Sequence, residues 1–272
     1  MKKAFFLLFL FLPAAVFADS GLKIKVENNS SGLTITGSDG KADSLSIPDT
    51  IDGKKVTMIS EGAFIGKGLK DVSIPDSVTV IGDGAFSFNR LETVTIGNNV
   101  TTIGRGAFTG NKLASVTLGS KISVIGKGAF SNNLLEAVTL PASVTVIDDY
   151  AFFNNKIKTI EIPGNVTTIG EGAFSGNKFT SIVIGSGVTI IRDGAFYNNF
   201  ITSVTIPASL KTLGSRVFDA RSSDGRIRSN IVYTDVSGNV LYTTAKTFDA
   251  FYNSNGKKSG KYSLSDGNWK ME

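Results

Sequence analysis

The 272-residue chain contains neither cysteine nor histidine. Without cysteine there is no disulfide, no thiol nucleophile and no thiolate metal ligand. Without histidine the most common general base and metal ligand is missing as well. The sequence also has no Walker loop and no G-x-S-x-G nucleophile elbow. These absences predict a protein that is not an enzyme and that uses no metal ion or other cofactor.

The charged residues are scattered and nearly balanced. The formal net charge is +5, but Lys2 and Lys3 belong to the export signal discussed next. Without those two lysines, 26 basic residues face 23 acidic ones, which leaves +3. No run of lysine or arginine is long enough to follow a phosphate backbone. We therefore expect no nucleic-acid partner.

Residues 1–18 have the pattern of a secretory signal peptide. Two lysines precede an apolar stretch, and Val16 and Ala18 suit cleavage before Asp19. The alternative is a retained membrane anchor, but the apolar run is about 15 residues long and a spanning helix needs about 20. We therefore expect an exported chain in the periplasm, on the cell surface or secreted, without stable membrane insertion.

Phenylalanine recurs at a constant spacing of 22 residues. The eight members of this series are Phe64, Phe86, Phe108, Phe130, Phe152, Phe174, Phe196 and Phe218. Other positions repeat with it, so that each unit reads N-x-L-x-x-V-x-I-[PG]-x-x-V-x-x-I-x-x-G-A-F-x-x. A 22-residue unit cannot bury its own apolar face, but stacked units bury one another. The period predicts a solenoid with an internal column of phenylalanine rings.

The V-x-I step of each unit has the period of a β-strand, and the following Pro or Gly ends that strand. One strand per turn predicts a parallel β-sheet on one face of the stack, with a strand spacing of about 4.8 Å. No segment of the repeats is periodic enough for a regular helix of three turns. The Asn that follows each Phe by three residues is expected to satisfy backbone groups of neighbouring turns.

These units resemble the BspA-like, or treponemal-type, leucine-rich repeats. The family pattern is an L-x-x-L-x-L-P core followed by I-x-x-x-A-F, and the segments IKTIEIPGNVTTIGEGAF (157–174) and ITSVTIPASLKTLGSRVF (201–218) match it. The unit here is one residue shorter than the 23 residues associated with the class. The resemblance implies a leucine-rich-repeat, right-handed stack with little regular helix. It also implies the role of similar proteins, regarded as bacterial adhesins that contact host matrix proteins.

The stack needs ends, and the sequence divides accordingly. Residues 19–47 alternate apolar and polar around a turn at 28–32, which predicts a β-hairpin cap. Residues 48–218 form the repeats, the first unit being longer with a turn at Asp52-Gly53. Residues 219–272 are expected to form a mixed C-terminal cap, and an independent small domain is the alternative. That segment predicts a hairpin between 231–233 and 240–242, a short helix at 245–252, and a final strand pair at 261–264 and 268–270.

Two surfaces are candidates for binding. On the V-x-I sheet, short polar side chains point outward, and Thr159, Glu161, Ser181, Ser203 and Thr205 lie on this face. Threonine also suits any exposed strand, so these residues have a purely structural explanation as well.

The second candidate surface consists of departures from the repeat in the loop after Phe. Apolar side chains replace small or cationic residues at Phe88, Leu134, Phe153, Tyr197 and Phe200. They are expected to form an apolar rim that anchors a partner, unless they fold over the edge of the core. In contrast, the acidic pair Asp148-Asp149 is interpreted as a solvated loop, because equivalent positions hold glycine or charges of either sign.

The sequence therefore favours an exported protein-binding leucine-rich-repeat module. The first hypothesis is a bacterial surface or secreted adhesin-like protein with a host protein or peptide as partner, the extracellular matrix being one source of such partners. The second is a periplasmic scaffold or assembly protein that binds another protein of the bacterial envelope.

Overall fold

The computed structural model describes residues 16–17, 22–201, 203–221, 227–228, 232–234, 240–241, 256, 261–265 and 268–271. The strands before the regular repeats are β1 (Val16–Phe17), β2 (Lys23–Asn29), β3 (Gly32–Asp39), β4 (Ser44–Ser46), β5 (Thr50–Ile51) and β6 (Lys54–Ile59). The strands of the repeats are β7 (Asp71–Ile74), β8 (Val80–Ile81), β9 (Thr93–Ile96), β10 (Thr102–Ile103), β11 (Val124–Ile125), β12 (Val146–Ile147), β13 (Thr168–Ile169), β14 (Ser181–Val183), β15 (Ile190–Ile191), β16 (Ser203–Thr205) and β17 (Thr212–Leu213). The C-terminal strands are β18 (Ala220–Arg221), β19 (Ile227–Arg228), β20 (Val232–Thr234), β21 (Val240–Leu241), β22 (Lys261–Ser265) and β23 (Asn268–Met271).

The predicted solenoid is confirmed: about eight turns stack in parallel, and the described residues include no helix. It follows that no helix in this part of the chain is suited to crossing a bilayer. Eight strands, β6, β8, β10, β11, β12, β13, β15 and β17, form one continuous parallel ladder, which we call the long ladder. Its register advances by 22 residues per strand from β8 onward, as in the pair Val124↔Val146. β-Branched residues at both positions of most of these two-residue strands favour this extended backbone.

The V-x-I segments form a second face, and here the structure differs from the expected continuous sheet. Strands β4, β7 and β9 pair with one another, and a single bridge joins Thr95 to Thr117. Pairing resumes only at β14 and β16. In between, the one bridge that joins the turns is Ala137↔Thr159. The sheet predicted from the V-x-I step is therefore split in the middle of the stack.

The predicted phenylalanine column forms the core. All eight rings are buried, and consecutive rings stack with centroids 5.2–5.5 Å apart and planes within 13° of parallel. The spacing exceeds the roughly 4.8 Å between paired strands. The backbone at the rings nevertheless stays joined from turn to turn, because each Phe N–H donates to a carbonyl oxygen of the next turn, as from Phe130 to Ala151 at 2.8 Å. The widest ring spacing, 5.5 Å, lies between Phe130 and Phe152, in the two turns whose V-x-I segments follow at 137–140 and 159–162.

The asparagine column links the turns, as expected. In the central example, the Asn133 Nδ2 group donates hydrogen bonds to the carbonyl oxygens of Phe108 (3.0 Å) and Phe130 (3.1 Å). The Asn133 Oδ1 atom accepts a hydrogen bond from the backbone N–H of Leu113 at 3.1 Å. The same pattern recurs at Asn89, Asn111, Asn155, Asn177 and Asn199. Each buried amide thus satisfies three backbone groups in two turns.

The N-terminal strands extend the long ladder. β2 and β3 form the predicted antiparallel hairpin, and β3 pairs in parallel with β6. β1 pairs antiparallel with β2. The predicted turn at Asp52-Gly53 joins β5 to β6, and both residues have the positive φ that such a tight hairpin turn requires.

The C-terminal strands continue the second face, but one predicted pairing is wrong. β22 and β23 form the predicted final hairpin. β20 and β21 do not pair with each other, because the β22–β23 hairpin lies between them in the order β14-β16-β20-β22-β23-β21. A local turn signal indicates a chain reversal, whereas the neighbour of a strand is decided by the whole sheet. The short helix expected at 245–252 lies outside the described residues.

Candidate functional site

The split second face carries a groove made by three of the five sheet residues singled out from the sequence. One part, with a volume of about 580 Å³, is lined by residues of the segments 137–142 and 159–163, including Thr159 and Glu161. A second part of about 380 Å³ shares Thr159 and Glu161 and adds Ser181 and Val183. We call these two parts together the open groove. The fold thus brings Thr159, Glu161 and Ser181 onto one concave strip.

The open groove coincides with the missing backbone pairing. In the paired part of the same face, the Thr117 N–H donates to the carbonyl oxygen of Val94 at 3.3 Å. At the equivalent positions Thr139 and Glu161, no backbone N–H makes such a bond within the described residues. The groove therefore offers both side chains and unpaired backbone groups to solvent.

The other two predicted sheet residues lie elsewhere. Ser203 and Thr205 are half-buried in β16, which is paired with β14, β20 and β22. They do not line the open groove. In contrast, Val183 is 65% exposed at the edge of the groove and was not proposed as a binding residue. The sequence does mark this position, because Val183 is the one apolar residue among the outward-pointing residues of the V-x-I steps.

The five predicted rim residues do not share one environment. Phe88 and Leu134 are exposed, by 66% and 38%, whereas Phe153, Tyr197 and Phe200 are half-buried. Each of these three rings contacts a neighbour: Phe153 meets Tyr150 edge-on at 5.9 Å, Tyr197 lies under the Arg216 guanidinium at 4.7 Å, and Phe200 lies under the Lys178 ammonium at 5.0 Å. Cation–π contacts therefore cover part of Tyr197 and Phe200.

The backbone identifies two unusual residues that the sequence reasoning missed. The residue two positions before Phe has φ between 53° and 61° in all eight turns. Six turns place glycine there, but Tyr150 and Arg216 occupy the position in the fifth and eighth turns. A left-handed conformation costs a residue with a Cβ roughly 1–2 kcal/mol. Comparison of this column between units would have revealed the two exceptions, which packing does not require.

A pocket of about 260 Å³ lies between these two exceptions. Its walls include Tyr150 on one side and Tyr197 with Arg216 on the other. Its remaining lining is small or acidic and consists of Glu171, Gly172, Ser175, Asp193, Gly194 and Ser215. We call it the tyrosine pocket. It opens because the two intervening turns have glycine where Tyr150 and Arg216 stand.

Hydrogen bonds hold the walls of the tyrosine pocket. The Tyr150 hydroxyl donates to the Glu171 carboxylate, and the Arg216 Nη2 group donates to the Tyr197 hydroxyl at 3.1 Å. The bond to Glu171, together with burial, raises the pKa of Tyr150 to about 12, so the phenol stays a neutral donor at physiological pH. The Asp193 Oδ1 atom accepts a hydrogen bond from the Ser215 N–H at 2.9 Å.

Every cationic group beside the tyrosine pocket is already paired with a carboxylate outside it. Lys127 and Arg192 approach Asp149 at 3.4 and 3.5 Å, and Arg216 approaches Asp219 at 3.1 Å. Asp149 is therefore only 17% exposed, which corrects its interpretation as part of a solvated loop. Among the described residues, neither Glu171 nor Asp193 has a salt-bridge partner. The pocket thus carries two carboxylates without a paired cation.

The described part of the chain provides no constellation for metal chemistry. No three acidic side chains come close enough there to hold a metal ion. The features that it does provide are a groove with unpaired backbone groups and a pocket with two carboxylates and tyrosine walls.

Comparison with known proteins agrees with the architecture. The model of the BspA type leucine rich repeat region matches residues 41–158 and 145–266. A crystal structure of a leucine-rich repeat protein from Bacteroides ovatus ATCC 8483 is similar, with 28% identity and a TM-score of 0.60 over 73% of this chain and 55% of that chain. A leucine rich cell surface protein from Faecalibacterium prausnitzii A2-165 has 26% identity and a TM-score of 0.56 over 85% of this chain and 61% of that chain.

The present chain spans less than two thirds of the length of either of these structures. No curated protein matches it.

Proposed function

Because the chain belongs to the BspA type leucine rich repeat family, whose repeats are generally protein-interaction modules, we propose that it is an exported protein that binds a polypeptide partner in the open groove. The observation that carries this proposal is the loss of strand pairing at 137–162 and the groove that results. An extended partner segment would find backbone donors and acceptors there, as in the addition of a strand to a sheet. Thr159, Glu161 and Ser181 would supply side-chain hydrogen bonds, and Val183 an apolar contact.

The partner we propose is a host protein, so that the chain acts as an adhesin-like protein on the bacterial surface or after secretion. Two observations support this location: the signal-peptide pattern of residues 1–18 and the similarity to a leucine rich cell surface protein. Ser203, Thr205 and the rim residues Phe88, Leu134, Phe153, Tyr197 and Phe200 remain proposed as secondary contacts outside the groove.

A capture experiment tests the proposal. Immobilised protein beginning at Asp19 is incubated separately with host extracellular matrix extract and with bacterial envelope extract. Thr159→Arg fills the open groove with a long side chain, whereas Thr93→Arg places the same side chain at the equivalent position of the paired strand β9. We expect Thr159→Arg to reduce the captured partner at least tenfold and Thr93→Arg to reduce it less than twofold, with equal melting temperatures.

The outcome also separates the adhesin from a periplasmic scaffold. Capture from matrix extract, together with digestion of the protein when protease is added to intact cells, supports the adhesin. Capture from envelope extract only, with the protein protected on intact cells, would assign the scaffold role instead. No capture from either extract, or equal losses in the two variants, would refute binding in the open groove.

A further inference from the structure

The residues that form the walls of the tyrosine pocket depart from the repeat pattern. Tyr150 and Arg216 occupy the left-handed position that six other turns give to glycine. Tyr197 occupies the position after Phe, where the turn before it has the small Ser175. Repeats that pack alike need the same residue at the same position. Three departures around one cavity therefore indicate a local role, because strained backbone positions tend to occur at binding sites.

The pocket has a defined size and depth along the stack. Tyr150 and Tyr197 belong to turns two repeats apart, which corresponds to roughly 10 Å at strand spacing. The turn between them contributes the small residues Gly172 and Ser175. The Tyr150 ring lies directly over Gly172, where an added Cβ would be 2.5 Å from a ring carbon.

The charge of the pocket selects the chemistry of that group. Glu171 and Asp193 both line it, and neither has a cationic partner among the described side chains. Three cations lie close by: Lys127 and Arg192 share Asp149, and Arg216, which is part of the lining, pairs with Asp219. Lys127 and Arg216 also lie over the rings of Tyr150 and Tyr197. An incoming cation would gain charge-assisted hydrogen bonds from two carboxylates, and its aliphatic stem would pack against aromatic walls.

We propose that the tyrosine pocket binds a lysine or arginine side chain of the partner protein. This inference rests on the proposed function, because it assigns a second anchoring point on the same partner. Glu171 and Asp193 hold the cationic head group, and Tyr150 and Tyr197 enclose the stem. The Tyr150 hydroxyl hydrogen bond fixes the Glu171 carboxylate in place.

The direct test uses short peptides and needs no identified partner. Acetyl-Gly-Arg-Gly-amide and acetyl-Gly-Lys-Gly-amide are titrated into ¹⁵N-labelled protein beginning at Asp19. Acetyl-Gly-citrulline-Gly-amide is the neutral control, since citrulline has nearly the shape of arginine. We expect saturable shifts of the Gly172, Ser175, Gly194 and Ser215 amide signals with at least one basic peptide. The citrulline peptide should bind at least tenfold more weakly.

Variants confirm the location of binding. Glu171→Gln combined with Asp193→Asn keeps the shape of both side chains and should weaken the basic peptide at least tenfold. Glu136→Gln removes a carboxylate that is paired with Lys158 outside the pocket, and should leave binding within twofold. Unchanged signals elsewhere in the spectrum verify the fold of each variant. Any of three results would refute binding of a basic side chain in the tyrosine pocket. These are equal binding of the citrulline peptide, no saturable shift with either basic peptide, and no effect of the double variant.

Failure of the pocket can be distinguished from failure of the proposed function. If the partner is captured and Thr159→Arg releases it, but the Glu171→Gln, Asp193→Asn protein captures it normally, the open groove stands and the pocket is refuted as an anchor. If the double variant also loses at least fivefold of the captured partner, the two sites act on the same partner.

Discussion

At the scale of single residues, this solenoid repeats not only side chains but also their hydrogen bonds. Each buried asparagine satisfies one N–H and two carbonyl groups of the loop after Phe, in its own turn and in the preceding one. A buried backbone group without a hydrogen-bond partner costs about 1–3 kcal/mol. Each amide therefore contributes more to the free energy of unfolding than a single exposed hydrogen bond does. The asparagine column therefore contributes to the cohesion of the stack as well as to the shape of each turn.

Asn133→Ala should lower the free energy of unfolding by about 1–3 kcal/mol, since the buried Leu113 N–H loses its acceptor. The Phe108 and Phe130 carbonyl oxygens each keep a hydrogen bond from a neighbouring asparagine of the column. Urea unfolding followed by circular dichroism measures the loss. Asn165→Ala is the matched control, because the exposed Asn165 makes one bond, to the carbonyl oxygen of Ala142. The control should lose less than about 1 kcal/mol. Equal losses in the two variants would contradict this account of the column.

The packing of Tyr150 on Gly172 gives a second prediction at this scale. Gly172 and Gly128 occupy equivalent positions with φ of 56° and 61°. Substitution by Ala should therefore cost the same free energy of backbone strain at either site. A Cβ at Gly172 would lie 2.5 Å from the Tyr150 ring, whereas a Cβ at Gly128 would have its nearest neighbour 3.5 Å away, at the Ser131 hydroxyl. Gly172→Ala should therefore be less stable than Gly128→Ala by about 1–3 kcal/mol, a typical overpacking cost.

Thermal unfolding of the two glycine variants measures this difference. Adding Tyr150→Gly should abolish it, because the ring that clashes with the new Cβ is then absent. A difference that persists in the Tyr150→Gly background would mean that the ring does not determine the cost.

At the scale of strands, the two faces of the stack differ in backbone pairing. The long ladder is continuous through all turns from β6 to β17, whereas the second face is split between Thr117 and β14. In the middle of the stack the long ladder stays paired, and the ring-bearing segments keep their backbone hydrogen bonds, as from Phe130 to Ala151 at 2.8 Å. The split is therefore confined to the V-x-I segments.

Amide hydrogen exchange should reveal the split. The Thr117 and Thr145 N–H groups donate to backbone oxygens at 3.3 and 2.8 Å, so they should be protected. The Thr139 and Glu161 amides, at positions equivalent to Thr117, should exchange at least about tenfold faster, because their exchange needs no opening of a strand pair. If the Thr139 amide is protected as strongly as the Thr117 amide, the sheet is continuous and the open groove does not exist.

At the scale of the whole molecule, the ends of the stack are decisive, because an open solenoid exposes strand edges and apolar surface. β20 and β22 both pair with β16, and Leu210 and Leu213 of the last turn are buried. This arrangement supports the proposal that residues 219–272 cap the stack.

A chain that ends at Asp219 should therefore associate into oligomers or aggregate, because the edge of β16 is exposed. Size-exclusion chromatography with light scattering compares it with the full-length chain at the same concentration. A monodisperse truncated monomer with an unchanged melting temperature would identify residues 219–272 as a separate domain instead of a cap.

The sequence by itself determined the solenoid, the phenylalanine and asparagine columns and the N-terminal hairpin. The reason is that each turn sees nearly the same surroundings, so a 22-residue period is a direct record of which side chains face the core. A hairpin between 23 and 39 is likewise local. Within the repeats, the stacking and the core could therefore be predicted, whereas the long ladder was not predicted and the V-x-I sheet was predicted to be continuous.

Only the tertiary structure decided where the second face opens, how the C-terminal strands pair and which residues form the tyrosine pocket. The V-x-I step reads nearly alike in every unit, so the repeat pattern does not indicate where its pairing is interrupted. β20 and β21 lie on either side of a later hairpin, so no local signal gives their neighbours. The pocket joins residues that are 21 to 66 positions apart in the sequence, such as Tyr150, Glu171 and Arg216, and only the stacking of consecutive turns brings them together.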